Sequence, residues 1–514
     1  MAPSDSIFDL IDSSIGVELE FLLCYPKANL PVKIPLRDIT GSQFRPPDQA
    51  INAMIEEILR VVDNAVDSLG RGGGDYVLTR ESRAPEDIHL LRYRGWETRP
   101  ATNYYFPSEA RDERFARIYL WYPFKVISPA FWATDESWNE IHTVVQAIRT
   151  QLNVIIPPGA STHFHYGNGK SYIPFNKLRR IAALLVAVDP MIAQLNPEYK
   201  RNDDSALSNR LYSRIAHGRT AADIAREIGA EYVEGEPDIP VRRRRPIAYP
   251  IRIHRRRPDS RFDFAVPWRR GQLTGYSFSR EIFRSSGFPQ DNFDELGALE
   301  IPVASREILR SPNAPTVAEL MRYGPQRNDR PAYSFLAYTL GRYKRVLQIN
   351  GEIDARSQYK RTIEFRQMAS TLNPEEVVAF GKVVVRLCEF AGEADLDKLW
   401  NLILDCAVAE THNTWYDVFD LLGELGLISE AKVLYHPVAR FRGEKVPEGD
   451  IRVDGAISSS ILRMFGYYYL FSTNEEGVWW WNEWPVWYKA LFGFAIVWVI
   501  IWVGIPSLIR YFSS

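Results

Sequence analysis

The stretch IGVELEFLLCYP, residues 15–26, decides the fold class of this chain. It is typical of a β-strand and is apolar apart from Glu18 and Glu20. Residues two apart in a strand point to the same face, so both carboxylates project from one side. A central strand of a doubly wound parallel sheet would be apolar on both sides. A strand that carries two carboxylates on one face does not fit such a sheet, so strands like residues 15–26, alternating with helical patterns, predict an α+β protein.

Two later strands repeat the same arrangement of paired polar residues. His163 and His165 lie two apart in THFHYG, and Glu364 and Arg366 lie two apart in RTIEFRQM. Each pair alone is also typical of the wet face of an edge strand. A carboxylate is costly to bury without a partner, so two of them on an apolar strand indicate a cation or a water-filled cleft. Together, the three pairs favour a functional site.

If the pairs converge, they combine three carboxylates, two imidazoles and one guanidinium. Such oxygen-rich ligation favours Mg²⁺ or Mn²⁺, whereas zinc prefers four Cys and His ligands. An arginine in the same cluster suits phosphate or carboxylate, which its planar fork can bind in bidentate fashion. A divalent metal, an arginine and an imidazole together are typical of phosphoryl transfer.

The histidine strand continues into GNGKS, residues 167–171. This segment is similar to the end of a P-loop, but Phe164 stands where that motif requires glycine. We therefore predict a plain turn at Gly167–Gly169, with Lys170 within reach of an anion.

In this order, IGVELEF, THFHYG and TIEFRQMASTLNPEEVVAF resemble strand motifs of the amidoligase family, which is widespread in fungi. The resemblance covers most of the region between residues 15 and 437. It implies a glutamine-synthetase-like antiparallel sheet flanked by helices, with a two-metal ATP site. In that chemistry ATP phosphorylates a substrate carboxylate, and an amine then displaces the phosphate to form an amide.

The resemblance also implies roles for individual residues. His165 would be a ligand or would orient one, and Arg366 would contact phosphate. The metal ligands by position would be Glu18, Glu20, His163 and Glu364.

Two departures from the family pattern concern the charge of the site. Lys125, in KVISP, stands where the family has a glutamate. Ala101 and Thr102 follow Trp96 where an acid is expected. A protonated ammonium cannot ligate a metal, but it can replace the charge of one cation. We therefore group Lys125 with Arg366 and His165 as candidate catalytic residues, and Lys170 with Arg366 as candidate ATP-binding residues.

The chain divides into segments of different composition. Residues 1–195 and 332–437 are expected to form the amidoligase-like domain. Residues 196–331 form an insertion rich in arginine and proline, which we expect to be partly disordered. Residues 438–489 form a juxtamembrane linker with a tryptophan-rich end, and residues 490–509 form a transmembrane helix.

The predicted transmembrane helix reads ALFGFAIVWVIIWVGIPSLI and contains no charged residue. A helix of about 20 residues spans about 30 Å, the thickness of the hydrocarbon core of a bilayer. The preceding VWWWNEWPVWY has the composition of a lipid–water interface. A buried helix of a large domain is the alternative. Because the N-terminus lacks a basic signal region, we expect a single-pass C-terminal anchor with the main domain in the cytosol.

Other compositional features narrow the classes of partner. The net charge of −2 does not indicate a nucleic-acid-binding protein, and three scattered cysteines do not form a disulfide framework. Residues 241–261 contain nine arginines. Contact with anionic lipid agrees best with a membrane anchor, whereas a solvated loop is the alternative.

Three functions are consistent with these observations. The first is a membrane-anchored, ATP-dependent carboxylate–amine ligase that uses Mg²⁺ or Mn²⁺. The second is a catalytically degenerate relative that serves as a binding or scaffold protein at a membrane surface. The third is a zinc-dependent hydrolase that uses His163 and His165.

Overall fold

The structure is a computed structural model of the whole chain. It describes residues 13–32, 46–70, 73–77, 93–101, 119–157, 159–201, 206–231, 298–323, 331–339, 360–411 and 416–441.

The described residues are built around one antiparallel sheet. Its main path runs in the order β2-β3-β1-β6-β8-β7, and β4 and β5 both pair with β1. All pairings between these strands are antiparallel, which confirms the prediction of an α+β fold. The strands are β1 (Ser14–Pro26), β2 (Glu97–Pro100), β3 (Tyr119–Ile127), β4 (Phe131–Trp132), β5 (Val154–Ile155), β6 (Ser161–Gly167), β7 (Tyr333–Ser334) and β8 (Ile363–Ala369).

Helices lie between the strands and after them in the order of the chain. The longer ones have the amphipathic spacing that the sequence shows, and several begin at a capping residue. Asn373, for example, accepts a hydrogen bond from the Glu375 amide, and Pro374 follows it at the first helical position. The helices are α1 (Asp48–Leu69), α2 (Asp135–Gln151), α3 (Phe175–Ala193), α4 (Glu198–Arg201), α5 (Asn209–Tyr212), α6 (Ala221–Glu227), α7 (Ile301–Leu309), α8 (Ala314–Leu320), α9 (Pro374–Glu393), α10 (Leu396–Thr411), α11 (Val418–Glu424) and α12 (Ile428–Phe441).

The apolar face of the sheet is covered by helices. In β1, Val17, Leu19 and Phe21 are fully buried, and α9 packs against both β1 and β6. The rings of Phe164 and Phe380 stack between β6 and α9, with their centroids 5.8 Å apart. Because side chains alternate along each strand, this arrangement directs Glu18 and Glu20 to the opposite face of the sheet. That face carries the site.

The segment after β6 is a turn, as predicted. The amide of Ser171 donates to the carbonyl of Asn168, 3.1 Å away, and Gly169 has a φ of +59°. A Cβ atom on Gly169 would lie 2.2 Å from the Trp132 ring, so the close approach and the left-handed backbone both require glycine.

The insertion predicted at residues 196–331 is partly described. Residues 206–231 and 298–323 contain α5 to α8, and α7 packs closely against α3. These helices belong to the core because Ile224, Ile308 and Val317 are fully buried. The basic segment 241–261 lies outside the described residues.

Within the described part of the chain, no helix is both long and apolar enough to cross a membrane. The predicted transmembrane helix at 490–509, and all but the first four residues of the linker at 438–489, lie outside that part.

Candidate functional site

The three predicted polar pairs meet on the open face of the sheet. Strand β6 lies between β1 and β8, so the pairs occupy three neighbouring strands. Glu18 is directly opposite His163, and His165 is directly opposite Glu364. The sheet register therefore gathers residues that are widely separated in sequence into one cluster.

Lys125 fills the space between the two carboxylates of β1. Its Nζ lies 2.9 Å from Glu18 Oε2 and 2.9 Å from Glu20 Oε1. The position follows from the register, because Lys125 on β3 is directly opposite Glu20. The second oxygen of Glu20 accepts a hydrogen bond from the Ser161 amide at 3.0 Å. We call this arrangement the Lys125 position.

A second lysine, Lys360, contacts the other oxygen of Glu18. Its Nζ donates to Glu18 Oε1 and lies 2.8 Å from His165 Nε2. The other ring nitrogen of His165 is 3.2 Å from Thr362 Oγ1. An ammonium has no lone pair, so a neutral His165 can accept from it only if the ring proton is on Nδ1 and points to Thr362. We call this arrangement the Lys360 position.

Arg366 and His163 complete the cluster. Arg366 Nη1 lies 2.5 Å from Glu364 Oε1. His163 Nδ1 lies between two carboxylates, 3.4 Å from Glu18 Oε2 and 3.5 Å from Glu364 Oε1. The cluster is only partly shielded: the side chains of Glu364 and Lys125 are each 23% exposed. A ligand can therefore reach the cationic groups from solvent.

Charges within the cluster shift the pKa values of its acids. Burial alone would raise the pKa of Glu18, but the charge of Lys360 holds it well below its ordinary value. Burial opposes ionisation of Glu364 as well, yet the charge of Arg366 lowers its pKa to about 2. Burial alone would lower the pKa of Lys125, and Glu18 and Glu20 raise it instead. The carboxyl groups of Glu18 and Glu364 are therefore ionised at neutral pH.

The pKa values of the two histidines are also lowered, but here burial itself is the main cause. Burial lowers the pKa of His163, and the charge of Arg366 lowers it further. Burial and Lys360 lower the pKa of His165 in the same way. Both imidazoles are therefore neutral near pH 7, so three carboxylates face three cations. These are Glu18, Glu20 and Glu364 opposite Lys125, Lys360 and Arg366.

The chemistry of the donors fits one divalent cation. Ligand atoms of Glu18, His165 and Glu364 all lie within 4.8 Å of one another. Carboxylate oxygens with one imidazole suit Mg²⁺ or Mn²⁺. The predicted two-metal arrangement fits less well, because Lys125 contacts an oxygen on each of Glu18 and Glu20, the pair expected to bind a further ion.

Lys170 lies apart from the predicted pairs. It is exposed in the turn after β6, where its carbonyl accepts a hydrogen bond from Arg361 Nη1 at 3.0 Å. The lysines that pair with the carboxylates of the cluster are Lys125 and Lys360 instead.

Lys360 was missed from the sequence, although a signal for it was present. Lys360, Thr362, Glu364 and Arg366 occupy alternate positions, so extending the strand period three residues upstream of β8 places all four on one face. Tyr93 was also missed. Its ring lies 4.9 Å from Lys360 Nζ, close enough for a cation–π contact. No sequence pattern connects Tyr93 to the three strands.

No family model, no curated protein and no solved structure matches this chain. Membership of the amidoligase family therefore stays a prediction that rests on the three strand motifs.

Proposed function

We propose that this protein is an ATP-dependent carboxylate–amine ligase whose active site is the cluster on the open face of the sheet. One observation carries the proposal. The three polar pairs lie side by side on adjacent strands, and the residue types that they combine are typical of phosphoryl transfer. The motifs of these strands resemble the amidoligases, whose glutamine-synthetase-like sheet supports the same chemistry.

In the proposed reaction, a carboxylate oxygen of the substrate attacks the γ-phosphorus of ATP. The bond to ADP breaks, and an acyl phosphate forms. The amine nitrogen then attacks the acyl carbon, phosphate leaves with the C–O electron pair, and a proton of the amine passes to that phosphate. Both steps need charge neutralisation more than covalent help from the protein. Arg366 supplies a phosphate-binding fork, and Lys125 adds a fixed positive charge.

Glu18, His165 and Glu364 would hold the divalent cation. Mg²⁺ or Mn²⁺, when bound, neutralises phosphate charge and fixes the orientation of the triphosphate. With its ring proton on Nδ1 and directed to Thr362, His165 would present Nε2 as the ligating atom. His163 contacts both Glu18 and Glu364, so it would keep the two carboxylates in place.

The test compares two arginines changed in the same way. Arg366→Lys keeps the charge but loses the fork, so we expect ATP affinity measured by calorimetry to fall about tenfold or more. Arg306→Lys makes the same change on the exposed surface of α7 and should leave the affinity unaltered. A wild-type protein that does not bind ATP in the presence of Mg²⁺ overturns the proposal.

Turnover is measured separately, as ADP release in the presence of pooled carboxylic acids and amines. We expect release to require one member of each class. ATP binding without release by any pair would favour the second candidate, a binding or scaffold protein. That candidate is favoured by one observation: both oxygens of Glu18 already contact ammonium groups of the chain.

A zinc hydrolase has less support from the geometry. In the described part of the chain, the three residues close enough to hold a metal include His165 but not His163, and the other two are carboxylates. Stoichiometric zinc in the purified protein, in place of Mg²⁺ or Mn²⁺, would support the zinc-hydrolase hypothesis.

The proposal includes attachment to a membrane through residues 490–509, with the catalytic domain in the cytosol. The basic segment 241–261 would add contacts with anionic headgroups. Deleting residues 490–514 should move the protein from the membrane fraction to the soluble fraction. Membrane binding that persists after this deletion would contradict the attachment.

A further inference from the structure

The two lysines of the cluster occupy places suited to cations. The oxygens of Glu18 point to different partners: Oε2 to Lys125 and Oε1 to Lys360. Each ammonium also contacts a further ligand-type atom, which is Glu20 Oε1 in one case and His165 Nε2 in the other. The face therefore has two cation positions that share Glu18.

The two positions differ in how the lysine is held by the backbone. Lys125 lies inside β3 and is paired on both sides, with Glu20 of β1 and with Arg99 of β2. Moving its ammonium away from the carboxylates would leave two facing negative charges within a partly buried site. Lys360 precedes β8 and belongs to no strand. Its ammonium also lies 4.9 Å from the centre of the Tyr93 ring, a cation–π contact that does not depend on the carboxylates.

We infer that Lys125 is a built-in cation that permanently takes the place of a divalent ion between Glu18 and Glu20, whereas Lys360 is an exchangeable one. A divalent ion enters only at the Lys360 position, where it binds Glu18, His165 and Glu364 as the ammonium moves aside. This inference rests on the proposed function, because it concerns the cation requirement of the same site. It makes Lys125 the residue that limits the protein to a single divalent ion.

Charge supports this assignment. The cluster is neutral with its own three cations, so one divalent ion that displaces one ammonium adds net positive charge for a phosphate ligand. A second ion at the Lys125 position would have to approach an ammonium that lies 2.9 Å from both of the oxygens it needs. The two cations would repel each other, and the repulsion grows as the distance between them falls.

The test counts Mn²⁺ ions on the full chain by paramagnetic resonance, without nucleotide. Wild type should bind a single tight ion. Lys125→Met removes the ammonium and keeps a side chain of similar length, so it should bind a second ion between Glu18 and Glu20. Lys125→Arg keeps the charge and should stay at a single ion. Lys432→Met makes the same change on the exposed face of α12 and should also stay at a single ion.

A second readout covers a variant that folds poorly without metal. Mn²⁺ should raise the melting temperature of Lys125→Met by more than it raises that of wild type, because the ion replaces the missing charge. If Lys125→Met does not fold even with Mn²⁺, the same count is made on Lys125→Gln.

The outcomes separate this inference from the proposed function. Two ions on wild type, or an unchanged count on the neutral variants, overturn the role of Lys125. A wild-type protein that binds one ion but no ATP keeps the inference and removes the ligase. A wild-type protein that binds no ion removes the site at Glu18, His165 and Glu364, and the inference with it.

Discussion

The Lys125 and Lys360 positions contain the same chemical group against the same glutamate, yet they differ in their surroundings. Lys125 contacts two carboxylates and is fixed by strand pairing on both sides. Lys360 contacts one carboxylate and a neutral imidazole, and it lies just outside a strand. An ammonium in the first position therefore serves as part of the scaffold. In the second position it can be exchanged for a ligand.

The shared residue should give the largest effect. Glu18→Gln keeps the shape of the side chain but leaves both lysines without their common counter-charge. Removing one partner of a buried ion pair costs about 3–5 kcal/mol, so we expect the free energy of unfolding to fall by about 4 kcal/mol. Chemical denaturation at pH 7 measures it. Metal and ATP binding should be lost in the same variant, and a loss of binding with full stability would mean that Glu18 does not hold the lysines.

The two lysines should then differ in their contribution to stability. Lys125→Met removes the shared counter-charge of two facing carboxylates and leaves Glu18 with Lys360 alone, so we expect a loss of about 3 kcal/mol in metal-free buffer. Lys360→Met leaves only one carboxylate short of a partner, in contact with a histidine that can take up a proton, and should cost about 1 kcal/mol. Equal losses in the two variants would remove the distinction between a fixed and an exchangeable cation.

The sequence predicts which face of a strand is apolar, but it predicts only part of the difference between Lys125 and Lys360. Alternation in residues 15–26 is sufficient to place Glu18 and Glu20 on one face, because that property is local to a strand. The pairing of Lys125 with Glu20 depends on the register between strands about 100 residues apart in the chain, which no local pattern specifies. Lys360 follows the alternation of β8 but lies before its first apolar residue, Ile363, so the strand pattern alone did not include it.

Packing explains why helices within the predicted insertion were missed. Residues 206–231 and 298–323 show weak periodicity in a segment rich in arginine and proline, yet α5, α7 and α8 pack against α3, and α6 packs against α8. Tertiary contacts stabilise such short helices, and intrinsic propensity does not reveal them.

Acid should lower the free energy of unfolding through the groups of the cluster. The part of this loss nearest neutral pH comes from the two histidines. The pKa values of His163 and His165 are lowered on folding, so the unfolded chain binds more protons as the pH falls through about 6.5. Stability is therefore complete above that pH and declines below it, by about 3 kcal/mol at pH 5.5 if both rings stay neutral. A further decline should begin near pH 4.5, where the carboxyl groups of Glu18 and Glu364 take up protons in the unfolded chain first.

Unfolding followed across pH 7 to 4 measures this profile. His163→Gln should remove about half of the first part of the decline, because His165 remains. A stability that is constant down to pH 5 would show that folding leaves the pKa values of the two imidazoles unchanged, and a stability that rises would show that they are protonated in the folded protein.

The smallest effect concerns competition at the Lys360 position. An ion that binds Glu18, His165 and Glu364 must first displace the ammonium of Lys360, and this displacement weakens its apparent affinity. Lys360→Met removes the competitor, so we expect Mn²⁺ to bind about tenfold more tightly, a gain of about 1.4 kcal/mol. Calorimetric titration measures the change, with Lys432→Met as the matched surface control. Because Lys125 contacts other oxygens, the number of bound ions should not change in Lys360→Met. A weaker affinity in that variant would mean that Lys360 supports the metal site. Lys360 would then be a fixed part of the site, and not an exchangeable cation.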